Sequence, residues 1–347
     1  MREGLISEII PRPGQGQFVV VPGFVDTHVH GWGGYDVSDS TKALAEIDKS
    51  LISRGTTSWL ASVISQPWDE LVEIVKRIRS YAQKSSSCLG IHWEGPFISP
   101  LKKGAHNPQY LLKPTVEKIA ELDKISRGMV RKITFAPEVV GDLNAVVKTL
   151  LKSDILPALG HSNAEAELAQ KAFDLGVNQV THLWNAMSGV VNRQPGLVSA
   201  ALVNPNVYAE VIADLQHVDP ITLRLSILAK RPSRIMLVSD AIRPAGLTDG
   251  PSLSGHLAIQ KQANRITLAG SDTIAGSAIS LHDSFVNLIQ LGYSWQDAVA
   301  MSSYSSAQAH KIAKVGQIAV GYYADLVVLK RDLSIQAVYK RGKLCAS

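Results

Sequence analysis

Six side chains able to bind a divalent metal ion lie where short apolar segments give way to turn-like stretches rich in Gly, Ser, Asn or Pro. They are His28, His30, Glu94, His161, His182 and Asp240. Imidazole and carboxylate together form the ligand set that suits zinc, iron and similar ions. In barrels of parallel strands, the reactive groups collect at the carboxyl ends of the strands. The repeated placement therefore predicts a single metal-dependent hydrolytic site.

None of these residues on its own indicates a metal site. His28 and His30 stand two apart, so on a strand both side chains face the same side and could bind one ion. An isolated HxH pattern is more often part of a hydrogen-bonded core. Each of the other four also has an ordinary explanation, such as a salt bridge or a helix cap. The metal interpretation is favoured because five of eight predicted strands end in a ligand type.

Such a site would activate water to attack a carbonyl or phosphoryl centre, and an amide substrate adds one requirement. A bound divalent ion can lower the pKa of water from 15.7 to about 7, which makes hydroxide available for roughly 12 kcal/mol less. An amine leaves only after protonation, so one group must take a proton from water and return it to nitrogen. Asp240, alone at the end of the eighth predicted strand, is the candidate.

Apolar runs and amphipathic helical segments alternate up to Asp240. Strands are predicted over 18–29, 56–64, 88–93, 132–135, 155–159, 178–181, 208–212 and 235–238, and helices over 41–54, 69–84, 115–125, 143–151 and 164–175. Eight strands with helical crossovers predict an α/β fold of the (β/α)8, TIM-like barrel type. A doubly wound sheet would instead need GxGxxG or GxxxxGK after the first strand, and GWGG at 31–34 is neither.

After Asp240 the alternation ends. A hairpin is predicted over 253–259 and 265–268, followed by helices over 281–291 and 295–312 and by antiparallel strands near the C terminus. We therefore expect the barrel to occupy 22–312. A small β-sandwich-type domain is expected from 1–21 and 313–347, with its N-terminal part reduced.

Composition restricts the partners. The formal charge of +5 over 347 residues is mild, and the two basic clusters, KRIR at 76–79 and YKRGK near the C terminus, are typical of solvated surface. No stretch approaches the roughly 20 apolar residues of a membrane span. Cys88 and Cys345 are too few for a disulfide framework. We expect a cytoplasmic protein with no nucleic-acid partner and no membrane partner.

Longer motifs extend the metal pattern. PGFVDTHVHG, HWEGPFIS with KKGAHNP, GHSNA, THLWNAM and VSDA, spread over about residues 17–340, resemble the amidohydrolase superfamily. Within it they resemble N-acetylglucosamine-6-phosphate deacetylases. The resemblance implies removal of acetate from N-acetylglucosamine 6-phosphate, a small phosphosugar, to leave glucosamine 6-phosphate.

The resemblance also implies roles for individual residues. Glu94, His161 and His182 would bind one divalent ion, and Glu94 could bridge to a second ion held by His28, His30 and Asp240. One or two ions, zinc or iron, are therefore expected. Asp240 would be the catalytic acid and base, and His106 in KGAH would polarise the acetyl carbonyl.

On the substrate side, the resemblance implies that Asn185, Ala186 and Arg193 hold the phosphate. In the family this arginine comes from a neighbouring subunit, so a homodimer is expected. His217 would contact the sugar hydroxyls. Here the sequence departs from the family, because Leu215 stands where Gly is usual and Asn192 and Gln194 replace Gly and Glu beside Arg193. Since leucine enters positive φ less freely than glycine, the loop before His217 is expected to run differently.

Two other functions stay open on the sequence. One is another amide hydrolase of the superfamily, acting on a cyclic amide, a dipeptide or a different N-acetyl phosphosugar. His106 and the THLWNAM–Arg193 segment favour the phosphosugar. The other is a non-catalytic scaffold barrel, which would be expected to have lost some of its ligands, whereas all six are present.

Overall fold

The structure, a computed structural model, describes residues 3–11 and 16–347. Eight parallel strands form the central sheet, each paired with its neighbours in sequence. They are β1 (Phe24–Val29), β2 (Thr56–Val63), β3 (Cys88–Glu94), β4 (Val130–Phe135), β5 (Leu156–Leu159), β6 (Gln179–Val180), β7 (Tyr208–Ile212) and β8 (Ile235–Val238). All eight coincide with predicted strands, so the barrel prediction is confirmed.

The first and last strands meet at the carboxyl end of the sheet. The Asp240 N–H donates to the His28 carbonyl at 2.9 Å, and the His30 N–H donates to the Ala241 carbonyl at 2.9 Å. Below them, one oxygen of the buried Asp26 carboxylate accepts from the N–H groups of His28 and Ser239, both at 3.2 Å. The seam that closes the ring is thus made largely by the backbone of sequence-predicted metal ligands.

Helices cover the outside of the barrel. Their bounds are Thr41–Ser53, Trp68–Ala82, Val116–Ser126, Leu143–Lys152, Ala166–Asp174, Leu197–Val203, Pro220–Lys230 and Leu281–Gln290. In the first helix, the Ser40 hydroxyl caps the N terminus by accepting from the Ala43 N–H, while Leu44, Ile47 and Leu51 face the core. The helices Leu197–Val203 and Pro220–Lys230 were not predicted. They complete the crossovers around β7.

The predicted helix over 295–312 is interrupted. Trp295–Val299 and Ser305–Ala309 are α-helical, and the π-helical segment Ala300–Tyr304 joins them. Short 3₁₀ turns occur at Pro100–Lys102, Pro108–Tyr110, Pro137–Val139 and Pro232–Arg234.

Residues from both ends of the chain share one antiparallel sheet. Its strands are Val19–Pro22, Leu326–Leu329, Ile335–Lys340 and Lys343–Ala346. This agrees with the expected use of both termini, although residues 1, 2 and 12–15 of the predicted domain lie outside the described ranges. The division into 1–21 with 313–347 and 22–312 stays a prediction.

A second antiparallel sheet rises beside the barrel mouth. Its strands are Gly250–Ser254, Leu257–Gln262 and Arg265–Leu268, and a two-stranded ribbon pairs Gly31–Trp32 with Tyr35–Asp36. The predicted strand over 253–259 is wrong, because a turn at Gly255, with φ of +53°, separates two strands there. Ile259 and Ile266 of this sheet form a small apolar cluster with Ile242 and Ala275 next to the mouth. Within residues 3–11 and 16–347, no helix has the length and apolarity needed to span a bilayer.

Candidate metal centre and active site

The six sequence-predicted ligands converge at the carboxyl end of the barrel. His28 is the penultimate residue of β1 and Glu94 is the last residue of β3, while the others stand just beyond β1, β5, β6 and β8. All six residues are buried. His161, His182 and Asp240 have positive φ values of 46°, 31° and 51°. Left-handed backbone in residues other than glycine is strained and concentrates at functional sites.

The Glu94 carboxylate lies at the centre of the cluster. Its Oε1 is 3.2 Å from His161 Nε2 and 3.0 Å from His182 Nε2. Its Oε2 is 3.4 Å from His28 Nε2 and 3.2 Å from His30 Nε2. Each oxygen therefore faces one pair of imidazoles, which is the arrangement a bridging carboxylate requires.

Asp240 completes the half of the cluster that contains His28 and His30. Its Oδ1 lies 3.4 Å from His28 Nε2 and 3.2 Å from His30 Nε2, and its side chain is 11% exposed. One side of this carboxylate thus contacts the histidines, while the group remains accessible from the pocket above.

Backbone partners fix the protonation of two of these imidazoles. His30 Nδ1 is 2.9 Å from the Ser62 carbonyl, and His161 Nδ1 is 2.9 Å from the Lys102 carbonyl. A carbonyl can only accept, so Nδ1 carries a hydrogen, and Nε2 is the nitrogen left to bind a metal ion. Histidines that bind a metal usually donate their other ring N–H to such a partner.

The resulting arrangement fits a divalent metal ion. His28 Nε2 and His30 Nε2 are 3.1 Å apart, and so are His161 Nε2 and His182 Nε2. Lone pairs that face one another at this separation repel unless a cation lies between them. Ligand atoms around a tetrahedral ion with bonds of about 2.0–2.1 Å are themselves about 3.3 Å apart. The two histidine pairs, with Glu94 between them, match that spacing twice.

The charges of the cluster agree with this fit. Burial lowers the pKa of the His28 imidazole, but Glu94 and Asp240 outweigh it and raise the pKa to about 10. Against the same burial effect, the two carboxylates raise the pKa of His30 to about 9. Burial would raise the pKa of Glu94, yet the surrounding imidazoles, His28 foremost, hold it well below its usual range. The buried carboxylates thus require positive charge beside them.

His106 carries its ring hydrogen on the opposite nitrogen. Its Nδ1 accepts from the Ser65 N–H at 3.3 Å and lies 2.8 Å from the Ser65 hydroxyl. A backbone N–H can only donate, so the hydrogen of the neutral ring is on Nε2, which lies 3.7 Å from Glu94 Oε2. Burial lowers the pKa of His106 to about 4. The ring is therefore a neutral hydrogen-bond donor directed into the site.

A cavity of about 420 Å³ opens above the cluster. Among the sequence-predicted substrate residues, Asn185, Ala186 and His217 line it, together with Lys102. The Asn185 N–H already donates to the His182 carbonyl at 3.0 Å, whereas the Ala186 N–H has no partner in the part of the chain that the structure describes. Arg193 is exposed on the following loop and does not line this cavity.

The loop that carries His217 is held by Asp214. One Asp214 oxygen accepts from the N–H groups of Gln216 and His217 at 2.9 Å, and the other is 2.7 Å from His217 Nδ1. Leu215 has φ of +62°, the region that favours glycine. Leucine therefore adopts the backbone that favours glycine here, because the Asp214 bonds hold the strained turn and keep His217 in the cavity. A difference between this loop and that of the family stays a prediction.

Two charged residues beneath the centre were missed from the sequence. Glu210 Oε2 lies 3.3 Å from His28 Nδ1, and Glu210 Oε1 pairs with Lys132 Nζ. Both are fully buried inside the barrel. The available signal was a charge within an otherwise apolar strand, in YAEVI for Glu210 and in VRKITF for Lys132.

Comparison with known proteins agrees with this geometry. The model of the amidohydrolase family matches residues 19–345. The chain belongs to this family. It is 32% identical to an N-acetylglucosamine-6-phosphate deacetylase of Lysinibacillus sphaericus, over 99% of this chain and 92% of that protein. It is 30% identical to an N-acetylgalactosamine-6-phosphate deacetylase of Escherichia coli O157:H7, over 99% and 93%. The resemblance drawn from the motifs is confirmed.

A solved structure extends the similarity to the fold. It is an aspartate-to-alanine variant of the N-acetyl-D-glucosamine-6-phosphate deacetylase of Mycobacterium smegmatis, in complex with N-acetyl-D-glucosamine 6-phosphate. The TM-score is 0.92 at 32% identity, covering 98% of this chain and 91% of that one.

The hydrogen positions separate a ligand histidine from a donor histidine. We expect His161→Asn to weaken the binding of one zinc ion by more than about 100-fold, beyond what loss of a ligand's hydrogen-bond partner usually costs. His106→Asn should leave zinc content unchanged, because His106 directs a hydrogen into the site. Zinc per subunit after reconstitution and dialysis, measured by inductively coupled plasma mass spectrometry, tests this. Equal zinc loss in both variants would show that His106 is also a ligand.

Proposed function

We propose that this protein is a metal-dependent deacetylase that hydrolyses the acetamide of N-acetylglucosamine 6-phosphate to glucosamine 6-phosphate and acetate. The observation that carries the proposal is the position of Glu94 between two imidazole pairs, beneath a cavity that also receives His106 and His217. The names of the similar proteins supply the substrate class.

The six ligand-type residues divide into two possible metal subsites. His28, His30 and Asp240 would hold one ion, His161 and His182 a second, and Glu94 would contact both. When bound, such an ion activates water as a nucleophile and polarises the carbonyl that is attacked. Whether one ion or two are present, and whether they are zinc or iron, stays a prediction, and so does a cytoplasmic location.

Two of the protein's own side chains would then donate a hydrogen bond and transfer the proton. The His106 Nε2–H is positioned to donate to the acetamide oxygen as negative charge develops there. Asp240 is buried against His28 and His30 yet reachable from the cavity. It would take the proton from the attacking water and deliver it to the amide nitrogen as the C–N bond breaks, so that the sugar leaves as an amine and the acetyl group as acetate.

Acetate release from a substrate panel tests the proposal. Protein reconstituted with zinc or iron should release acetate from N-acetylglucosamine 6-phosphate and far less from the sugar without phosphate. N-acetylgalactosamine 6-phosphate belongs in the panel because one similar protein is named for it. Preferred hydrolysis of a cyclic amide or a dipeptide would replace this function with the second superfamily activity. A folded protein that neither binds metal nor releases acetate would be the scaffold.

The proton role of Asp240 can be separated from its metal role. Asp240→Asn should lower kcat by roughly 10²–10⁴-fold with little change in KM, because it removes the group that carries the proton. His30→Asn is the matched control, since it removes a ligand of the same half without touching the proton carrier. Steady-state kinetics at measured metal occupancy distinguish the proton role from the metal role. If the kcat of Asp240→Asn recovers once metal is saturated, Asp240 is a ligand only.

A homodimer is the proposed partner arrangement. The helix Pro220–Lys230 exposes Ile221 by 80% and Leu228 by 71%, and the loop that carries Arg193 exposes Val190 by 58% and Val191 by 51%. A contiguous exposed apolar patch is typical of subunit contacts, and we propose that these two segments contribute to one. Because Arg193 is absent from the cavity of its own subunit, we propose that it reaches the phosphate in the cavity of a second copy.

Arg193→Ala should raise the KM for the 6-phosphate substrate by about 10–150-fold, the range of a lost hydrogen bond to a charged group. The kcat should change little, and an exposed arginine elsewhere, Arg331→Ala, should have no effect. An equal KM increase for the unphosphorylated sugar would contradict the phosphate role.

Mixing two variants that are each weakly active at subsaturating substrate tests whether the arginine acts across subunits. A heterodimer of Arg193→Ala and Asp240→Asn chains contains one site with Asp240 and the partner's arginine. Activity at subsaturating substrate should therefore reappear on mixing and subunit exchange. If Arg193 acts within its own subunit, no site regains both groups and the mixture stays as weak as its components.

A further inference from the structure

An ion pair inside the barrel lies directly below the proposed metal centre. Lys132 on β4 and Glu210 on β7 face one another across the interior, and both side chains are 0% exposed. Replacing a buried ion pair by apolar residues is often neutral or stabilising, because removing two charges from water is costly. The stability of the barrel alone therefore gives no reason for this pair.

Glu210 contacts the centre through one specific ligand. Its Oε2 lies 3.3 Å from His28 Nδ1, while its Oε1 pairs with Lys132 and accepts from the Thr27 hydroxyl at 3.2 Å. Since an ionised carboxylate only accepts, the contact places the imidazole hydrogen on Nδ1. The lone pair of His28 is then on Nε2, the atom that faces Glu94 and Asp240.

The histidines of the centre differ in which group contacts their Nδ1 atom. His30 and His161 are held by backbone carbonyls, and His182 Nδ1 has no hydrogen-bond partner within residues 3–11 and 16–347. Among these ligand histidines, only His28 has a carboxylate behind it, and that carboxylate has its own lysine. A carboxylate behind a ligating histidine fixes the ring and raises its basicity. Any effect of Glu210 should therefore fall on the half of the centre that contains His28.

Resting on the proposed metal-dependent function, we propose that Glu210, held by Lys132, is the positioning residue for His28. The pair sets the affinity of the subsite formed by His28, His30 and Asp240 and leaves the subsite of His161 and His182 unaffected. Lys132 supplies the positive charge that keeps Glu210 ionised in an interior without solvent, and Glu210 supplies the acceptor that orients the ring.

Metal binding tests this without any need for turnover. Wild-type protein should bind two zinc ions, and Glu210→Gln should weaken one of them by about 10–100-fold, the usual effect of losing such a partner. Equilibrium dialysis gives the two affinities, and cobalt substitution gives an independent absorption spectrum for each subsite. Thr27→Val is the matched control, because it removes a bond to Glu210 Oε1 and leaves the contact of Oε2 with His28.

A double variant separates positioning from stability. Lys132→Met with Glu210→Leu removes both charges, so the metal-free protein should keep a melting temperature near that of the wild type. It should still show the weakened second ion, because His28 Nδ1 has lost its acceptor. Wild-type affinity for both ions in this folded variant would overturn the proposal. The double variant also replaces Glu210→Gln as the test if that single variant fails to fold.

Three other results would also overturn the proposal. They are a wild-type protein that binds a single ion, equal weakening of both ions in Glu210→Gln, and an effect of Thr27→Val as large as that of Glu210→Gln. Failure of the deacetylase proposal would appear separately, as metal-loaded protein that releases no acetate, and would leave the zinc affinities interpretable.

Discussion

The site depends on a single carboxylate placed among four imidazoles. Each oxygen of Glu94 contacts a different histidine pair at 3.0–3.4 Å. A charge buried to this degree is tolerated only with opposite charge beside it, which metal ions or protonated imidazoles must provide. Much of the surrounding structure, from the strained backbone of His161 and His182 to the carbonyls behind the rings, keeps these nitrogens directed at Glu94.

Hydrogen-bond direction gives chemically identical side chains different tasks. His161 donates to a backbone carbonyl and is left with a lone pair at Nε2, whereas His106 accepts from a backbone N–H and is left with a hydrogen there. The two ring centroids are only 4.6 Å apart. The proposed metal ligand and the proposed carbonyl-polarising donor thus differ in which main-chain group contacts the ring, and not in their distance from the centre.

Much of this could be predicted from the sequence. The eight strands and the meeting of six ligand-type side chains follow from apolar runs that end in a polar residue, because a parallel barrel converts that one-dimensional pattern into a ring of side chains. The turn at Gly255 was missed although the pair Ser254–Gly255 is a local turn signal. The π-helical segment at Ala300–Tyr304 was not predicted because it packs against β1 and β8, which are distant in sequence.

Two features were missed for the same physical reason. Leu215 was judged on its own backbone preference, yet three contacts from Asp214 hold the turn against it. Glu210 and Lys132 are 78 positions apart, and only the closed ring brings them together beneath His28. Periodicity describes which side of a strand a residue occupies. It does not describe what stands opposite.

The seam between the first and last strands has a consequence for biosynthesis. His28 and Asp240, which share both a backbone bond and a place at the centre, are separated by most of the barrel sequence. A nascent chain can bring Glu94, His161 and His182 together well before Asp240 has left the ribosome. The half of the centre that contains His28 cannot be complete until the ring is shut. Binding of the ion proposed for that half would therefore mark the end of barrel assembly.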